Sequence, residues 1–356
     1  MTLTAQPQIL SDPEQVPKFG NDIATLRRQL QEVKASARPA HDPYEALVRV
    51  EELSVRARDG HSLGMRLYTP VSSAPPTSQD QTRFPVIVWF HGGGFCLGDL
   101  DTGDAVCRRL SAEMPSVVVS VDFRLAPEYP VPTPVNDAWD AVQWVAHNYT
   151  SMPQAELSKG FIVAGIFTGA NLAAVVSHQA RDRRLTPPLT GVFLEMPALL
   201  NPRSVFETHA APAELLSYAQ NVHDPIVRPD LLSLFWGENN PLFNCIQSSP
   251  VLQLYCYVPD KAAAENHLAS PLLWPNGHHG LPPTCLQVCG ADPLRDEALV
   301  YDRELRERYG VVTRLYFYPG MPHGFATYFS QAKLAGEYSE DFLSGFRWLL
   351  VGSTRS

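Results

Sequence analysis

The sequence predicts an α/β domain with a central, mostly parallel sheet, helices on both faces and a helical lid. Three observations predict it. Short apolar runs such as Val86–Phe90, Val117–Val121 and Phe161–Ala164 have the length and composition of strands buried on both faces. Amphipathic stretches long enough for helices separate them, which is the rhythm of a parallel sheet with crossover helices. Of the 356 residues, 45% are hydrophobic and 18% charged, enough apolar material for one large core.

Residues 1–45 read as an N-terminal lid segment. A polar, proline-bearing stretch precedes Asn21–Val33, where Ile23, Leu26, Leu30 and Val33 share one helical face behind an Asn cap. The core is expected over residues 46–199 and 266–356. Alternating segments at Val48–Val55 and Leu63–Tyr68, joined by Arg58-Asp59-Gly60, predict an antiparallel hairpin that opens the sheet. The Ser-, Pro- and Gln-rich stretch 72–82 is a loop. Then follow strand Val86–Phe90, a helix near Asp104–Met114, strand Val117–Val121, a helix near Asn136–Asn148, strand Phe161–Ala164, a helix over Gly169–Asp182 and strand Gly191–Leu194. The roughly 90 residues before the strand at Cys285 are too long for an ordinary loop. A lid insertion is expected at 200–265, with Phe206, Tyr218, Leu232, Phe235 and Trp236 as an apolar roof; packing of these side chains against the lid's own helices is the competing arrangement.

Three loops carry chemistry. His91-Gly92-Gly93-Gly94-Phe95 follows a buried strand, and its small residues leave bare N–H groups. Gly165-Ile166-Phe167-Thr168-Gly169 has the small flanking residues of the sharp strand-to-helix turn that lifts a nucleophile above a sheet. Phe167 stands where the serine of such a turn would be, and a benzyl group cannot attack a carbonyl. Further on, one strand runs into Asp292 and the next into His323. The order elbow, acid, base is that of α/β hydrolases.

From Val48 to Leu350 the chain resembles the hormone-sensitive-lipase-like group of α/β hydrolases. The matching blocks are His91–Phe95, Phe123-Arg-Leu-Ala-Pro-Glu-Tyr-Pro130, Asp292-Pro-Leu-Arg-Asp-Glu297 and His323-Gly-Phe325. The resemblance implies an α/β-hydrolase fold, with Asp292 as triad acid and His323 as base. It places the oxyanion donors at the amides of Gly92, Gly93 and Thr168. The family's Gly-Asp-Ser-Ala-Gly-Gly elbow falls on Gly165–Ala170, where Ile166, Phe167, Thr168 and Ala170 depart from it. The family's carboxylesterase activity therefore does not transfer directly.

A net charge of −9 and a pI near 5.6 argue against nucleic acid or an anionic membrane as partner. No stretch reaches the roughly 20 apolar residues of a membrane helix, and the N-terminus lacks a basic start before an apolar segment. The chain reads as cytoplasmic. The six cysteines show no CxxC spacing, so they read as buried thiols; neither a metal site nor a disulfide framework is indicated, although a Cys245–Cys256 bridge is conceivable.

Asp292 bonded to one imidazole nitrogen would leave the other nitrogen of His323 as a general base. Amides that hold a tetrahedral oxyanion hold an enolate equally well. The expected activity is therefore cofactor-free proton abstraction next to a carbonyl, leading to cyclisation, aldol or retro-aldol reaction, elimination or isomerisation. The expected substrate is a hydrophobic, carbonyl-containing small molecule, in specialised-metabolite biosynthesis by analogy. Phe95, Phe167, Phe206, Tyr218 and Trp236 are the expected pocket residues. Two alternatives stay open: a non-catalytic small-molecule binder, and residual ester hydrolysis by a His323-activated water or by Thr168 as surrogate nucleophile. The oligomeric state is left open.

Overall fold

The computed structural model describes residues 20, 22–37, 42–71, 82–201, 214–228, 231–232, 235, 257 and 266–352. The expected pocket residues Phe206 and Trp236, and the Cys245–Cys256 pair, lie outside the described residues. Eight strands form one sheet: β1 (Val48–Arg56), β2 (Ser62–Pro70), β3 (Val86–Phe90), β4 (Val117–Asp122), β5 (Phe161–Ile166), β6 (Gly191–Glu195), β7 (Thr284–Cys289) and β8 (Thr313–Tyr318). Their spatial order is β1-β2-β4-β3-β5-β6-β7-β8. β2 is antiparallel to β1 and to β4; every other pair is parallel. The β1–β2 hairpin closes through Ala57–His61, where Gly60 takes φ +86, a conformation that suits glycine.

The parallel strands are apolar throughout because both faces are covered. Along β3, Val86, Val88 and Phe90 join the core beneath α3 (Thr133–Asn148) and α4 (Thr168–Asp182). Ile87 and Trp89 point to the other core, beneath α2 (Asp104–Glu113) and α7 (Lys333–Gly352). On that side Phe193 of β6 stacks on Phe346 with centroids 4.3 Å apart. Side chains alternate between faces along a strand, so one five-residue run serves two cores.

Two helix starts differ from the sequence expectation. α3 begins at Thr133 rather than Asn136 because Pro134 occupies its first turn, where the missing N–H costs nothing. α1 spans Ile23–Ala37, and its cap is the side chain of Asp22, which accepts from Thr25 N at 2.9 Å. Asn21, the expected cap, is outside the described residues. Ile23 and Leu26 of α1 are buried, but Val33 is 52% exposed, so the apolar face covers only the first turns. Arg27 fixes the helix against the loops after β3 and β4, donating to Cys96 O at 2.9 Å and to Ala126 O at 3.0 Å. Four cysteines, Cys96, Cys107, Cys285 and Cys289, are buried.

The chain crosses from β3 to β4 on one side and returns to β5 on the other. The C-terminal ends of β3 and β5 thus flank a topological switch point, where open α/β sheets bind their ligands.

Candidate active site

The loops that leave β3, β5, β7 and β8 at this edge carry Gly92 and Gly93, Phe167, Asp292 and His323 in turn. The β5–α4 connection is a single residue, Phe167, with φ 54 and ψ −109. A non-glycine side chain at this φ is strained. Three hydrogen bonds hold it: Phe167 N donates to Glu195 O at 2.8 Å, and Phe167 O accepts from Asn171 N at 3.1 Å and Ala198 N at 3.3 Å. Closeness explains the flanking glycines. A Cβ on Gly165 would stand 2.7 Å from Phe90 O, and one on Gly169 would collide with the carbonyls of Phe90 and His91.

After β3 the chain turns through Gly93 (φ +133) and Gly94 (φ +62), both closed to a side chain by contact: a Cβ on Gly93 would stand 2.1 Å from Leu97 O, and one on Gly94 would stand 2.4 Å from the Phe235 ring. Gly92 faces the elbow: a Cβ there would be 3.7 Å from Phe167 Cβ. The amides of Gly92, Gly93 and Thr168 have no hydrogen-bond partner among the described residues. His91 is scaffold. Its ring stacks on Phe123 at 4.4 Å, and its Nδ1 donates to Gly92 O at 2.7 Å. Burial pushes its pKa down to about 4, so the ring is neutral.

His323 Nδ1 and Asp292 Oδ2 are 2.7 Å apart, and both side chains are buried. The other Asp292 oxygen, Oδ1, accepts from Leu294 N at 2.8 Å, just before α6 (Arg295–Arg303). Asp292 therefore both shapes its own loop and orients the imidazole. Burial works against a charged His323, but the Asp292, Asp224 and Glu195 carboxyls outweigh it and raise its pKa. With Nδ1 engaged, Nε2 is the free ring nitrogen, and it has no hydrogen-bond partner among the described residues.

Phe167 is next to that imidazole, with ring centroids 4.9 Å apart in an edge-to-face arrangement. Phe235 lies 6.3 Å from Phe167 and rests on the backbone of Gly94. Phe95 is buried in a parallel stack on Tyr257 at 3.5 Å. Tyr218, in the short helix α5 (Ser217–Gln220), turns its hydroxyl to Glu297 Oε2 at 2.7 Å. The hydroxyl of Thr168 is buried and has no hydrogen-bond partner among the described residues. Among the described residues no group of three or more His, Cys, Asp or Glu could hold a metal ion, and no helix is long and apolar enough to cross a membrane.

Two groups beside His323 escape sequence reasoning. Asp224 accepts from His323 N at 2.8 Å. Glu195, at the end of β6, is buried and accepts from the Tyr338 hydroxyl; burial pushes its carboxyl up to about 7. Neither sits in a motif. Glu195 shows one signal, a carboxylate closing the apolar run Gly191–Leu194.

Known proteins share this fold. A family model described as alpha/beta hydrolase fold matches residues 87–327. An AB hydrolase superfamily protein of Schizosaccharomyces pombe is 35% identical over 303 residues, covering 85% of this chain and 80% of that protein. Esterase LipI of Mycobacterium tuberculosis is 32% identical, covering 93% of this chain and 89% of its own. Among solved structures, vibralactone cyclase superposes with a TM-score of 0.79 at 27% identity, covering 99% of this chain and 96% of its own. The chain belongs to the hormone-sensitive-lipase-like group of the α/β-hydrolase superfamily.

Proposed function

We propose that the protein is a base catalyst on a hydrolase scaffold, abstracting a proton next to a carbonyl of a hydrophobic small molecule. The observation that carries this is the 2.7 Å Asp292–His323 contact beside an elbow occupied by Phe167. The acid and base of a triad are in contact where no attacking hydroxyl stands between the imidazole and a substrate. Nε2 of His323 takes the α-proton, and the bonding pair moves onto the carbonyl oxygen as an enolate. The unpartnered amides of Gly92, Gly93 and Thr168 hold that oxygen. The enolate then attacks a second carbon within the folded substrate, expels a leaving group or is reprotonated elsewhere, and His323 returns its proton. Phe167 and Phe235 supply an apolar wall against which such a substrate folds. Similarity to a structure described as a cyclase supports this reading.

A second reading, ester hydrolysis by a water activated by His323, is favoured by the relatives, several of which are named esterases. Metabolite extracts of the source organism, incubated with the protein or with its His323→Ala variant and followed by mass spectrometry, separate the two. Base chemistry predicts a compound converted only when His323 is present and without the mass gain of water. Conversion with that gain means hydrolysis. If no compound changes and one co-purifies, the protein binds and does not catalyse.

A further inference from the structure

The stretch from Ser217 to Val227 lies far in sequence from both partners of the Asp292–His323 pair, yet it hydrogen-bonds to the loops of each. Ser217 Oγ donates to Pro293 O at 2.6 Å, and Ser217 N donates to Asp296 Oδ2 at 2.7 Å. Tyr218 reaches Glu297, and Asn221 Nδ2 donates to the carbonyl of Asp292 at 2.9 Å. On the other side, Asp224 Oδ2 accepts from the backbone N–H of His323 at 2.8 Å. Its Oδ1 accepts from Ile226 N and Val227 N at 2.8 and 2.7 Å, which makes a rigid turn of its own loop. The next amide of the histidine loop, Gly324 N, contacts Met196 Sδ at 3.0 Å. The strap therefore grips the acid by its carbonyl and the base by its amide.

We propose that Asp224 is a positioning residue for His323: from this strap it fixes the histidine's backbone and places a second carboxyl group beside the imidazole, so that displacing the strap weakens the base. A turn inside the strap would need only Oδ1 of Asp224. The second oxygen is spent on a residue 99 positions away, and a buried carboxylate retains its charge only where hydrogen bonds satisfy it. The ionisable groups around His323 among the described residues are Asp292 from the loop after β7, Asp224 from the strap and Glu195 from the end of β6, with the buried Cys289 thiol behind them. Asp292 contacts the ring and fixes its tautomer. Asp224 holds the main chain, and its charge favours the imidazolium through space.

The catalytic consequence rests on the reading of His323 as the base, but the placement is testable without any substrate. NMR of the intact protein follows the imidazole nitrogens of His323 against pH, with the signals identified by their loss in His323→Gln. Asp224→Asn keeps the size of the side chain and removes its charge, so the titration of His323 should move to lower pH. Asp224→Glu should restore it towards the wild-type position. An unmoved titration in Asp224→Asn overturns the proposal and leaves Asp224 as a turn former. Should that variant not fold, the wild-type His323 amide proton decides: its shift should follow the Asp224 carboxyl, which burial and the Asp292 charge push up to about 6. An amide indifferent to that titration overturns the proposal equally. Loss of turnover in His323→Ala tests the base reading separately, so either can fail alone.

Discussion

Phe167 joins two roles that are normally in conflict. Its backbone has the positive φ of a turn built to present a side chain, a conformation that costs about 1–3 kcal/mol for a residue with a Cβ. Its side chain is only 7% exposed and packs on His323. The strain is borne by the three backbone hydrogen bonds and by the two close-fitting glycines, none of which depends on the identity of residue 167. Phe167→Ser should therefore keep the turn and set a hydroxyl beside an imidazole that is already oriented by Asp292. We expect hydrolysis of p-nitrophenyl acetate to rise roughly 10- to 100-fold over the wild-type protein; no rise would show that Nε2 does not face this position. Phe167→Ala should lower stability by about 3 kcal/mol in urea denaturation, as expected for a packed aromatic ring. If turnover of the native substrate also falls, the ring shapes the substrate; if it holds or rises, the ring merely plugs the pocket.

At the scale of elements, the edge that carries the site is locked by Arg124, in the loop after β4. Its guanidinium and its backbone N–H both donate to Asp137 of α3, at 2.7 to 3.0 Å. It also pairs with Asp59 of the hairpin turn at 2.7 Å. The Asp137 side chain is fully buried. One arginine thus ties the central sheet, a helix and the opening hairpin together. Asp137→Ala would leave a largely buried guanidinium with a single, half-exposed carboxylate partner, Asp59, and we expect a loss of about 3–5 kcal/mol, read as a lowered thermal midpoint. Arg124→Met in the same background should recover part of that loss, because it removes the stranded charge. The elbow is equally a joint between elements, since β5, β6 and α4 meet at Phe167 through Glu195 O and Asn171 N.

Across the whole molecule, buried carboxyls make stability depend on pH. Burial pushes Glu195 up to about 7 and Glu297 up to about 8. A carboxyl whose folded pKa is raised contributes stability that is complete below its unfolded value, near 4.5, and is lost as pH rises through the folded value. Glu195→Gln should therefore flatten the fall of stability between about pH 4.5 and pH 7, by an amount on the order of a few kcal/mol of unfolding free energy, read from thermal midpoints. Midpoints of wild type and variant that run parallel across this range would refute it. The fold was legible because its signals are local. Val86–Phe90 is apolar at every position because it feeds two cores, and Gly165 and Gly169 are small because carbonyls crowd them. The acid and base loops were legible for a related reason, as each motif lies within a few residues of a strand end. The reach of the N-terminal apolar face was not, for Val33 is exposed although it continues the pattern of Ile23 and Leu26; periodicity shows a face but not where its partner surface stops. Asp224, Asn221 and Glu195 were hidden for the same reason. By itself the sequence determined the order of strands and helices, the family, and the loops that bear Gly92, Phe167, Asp292 and His323, because neighbours in the chain decide periodicity and turn chemistry. Only the tertiary structure decided that Asp292 touches His323, that Phe167 packs against the imidazole and that Asp224 holds the histidine from behind, because a hydrogen bond between residues 99 positions apart exists only once the sheet has brought its edges together.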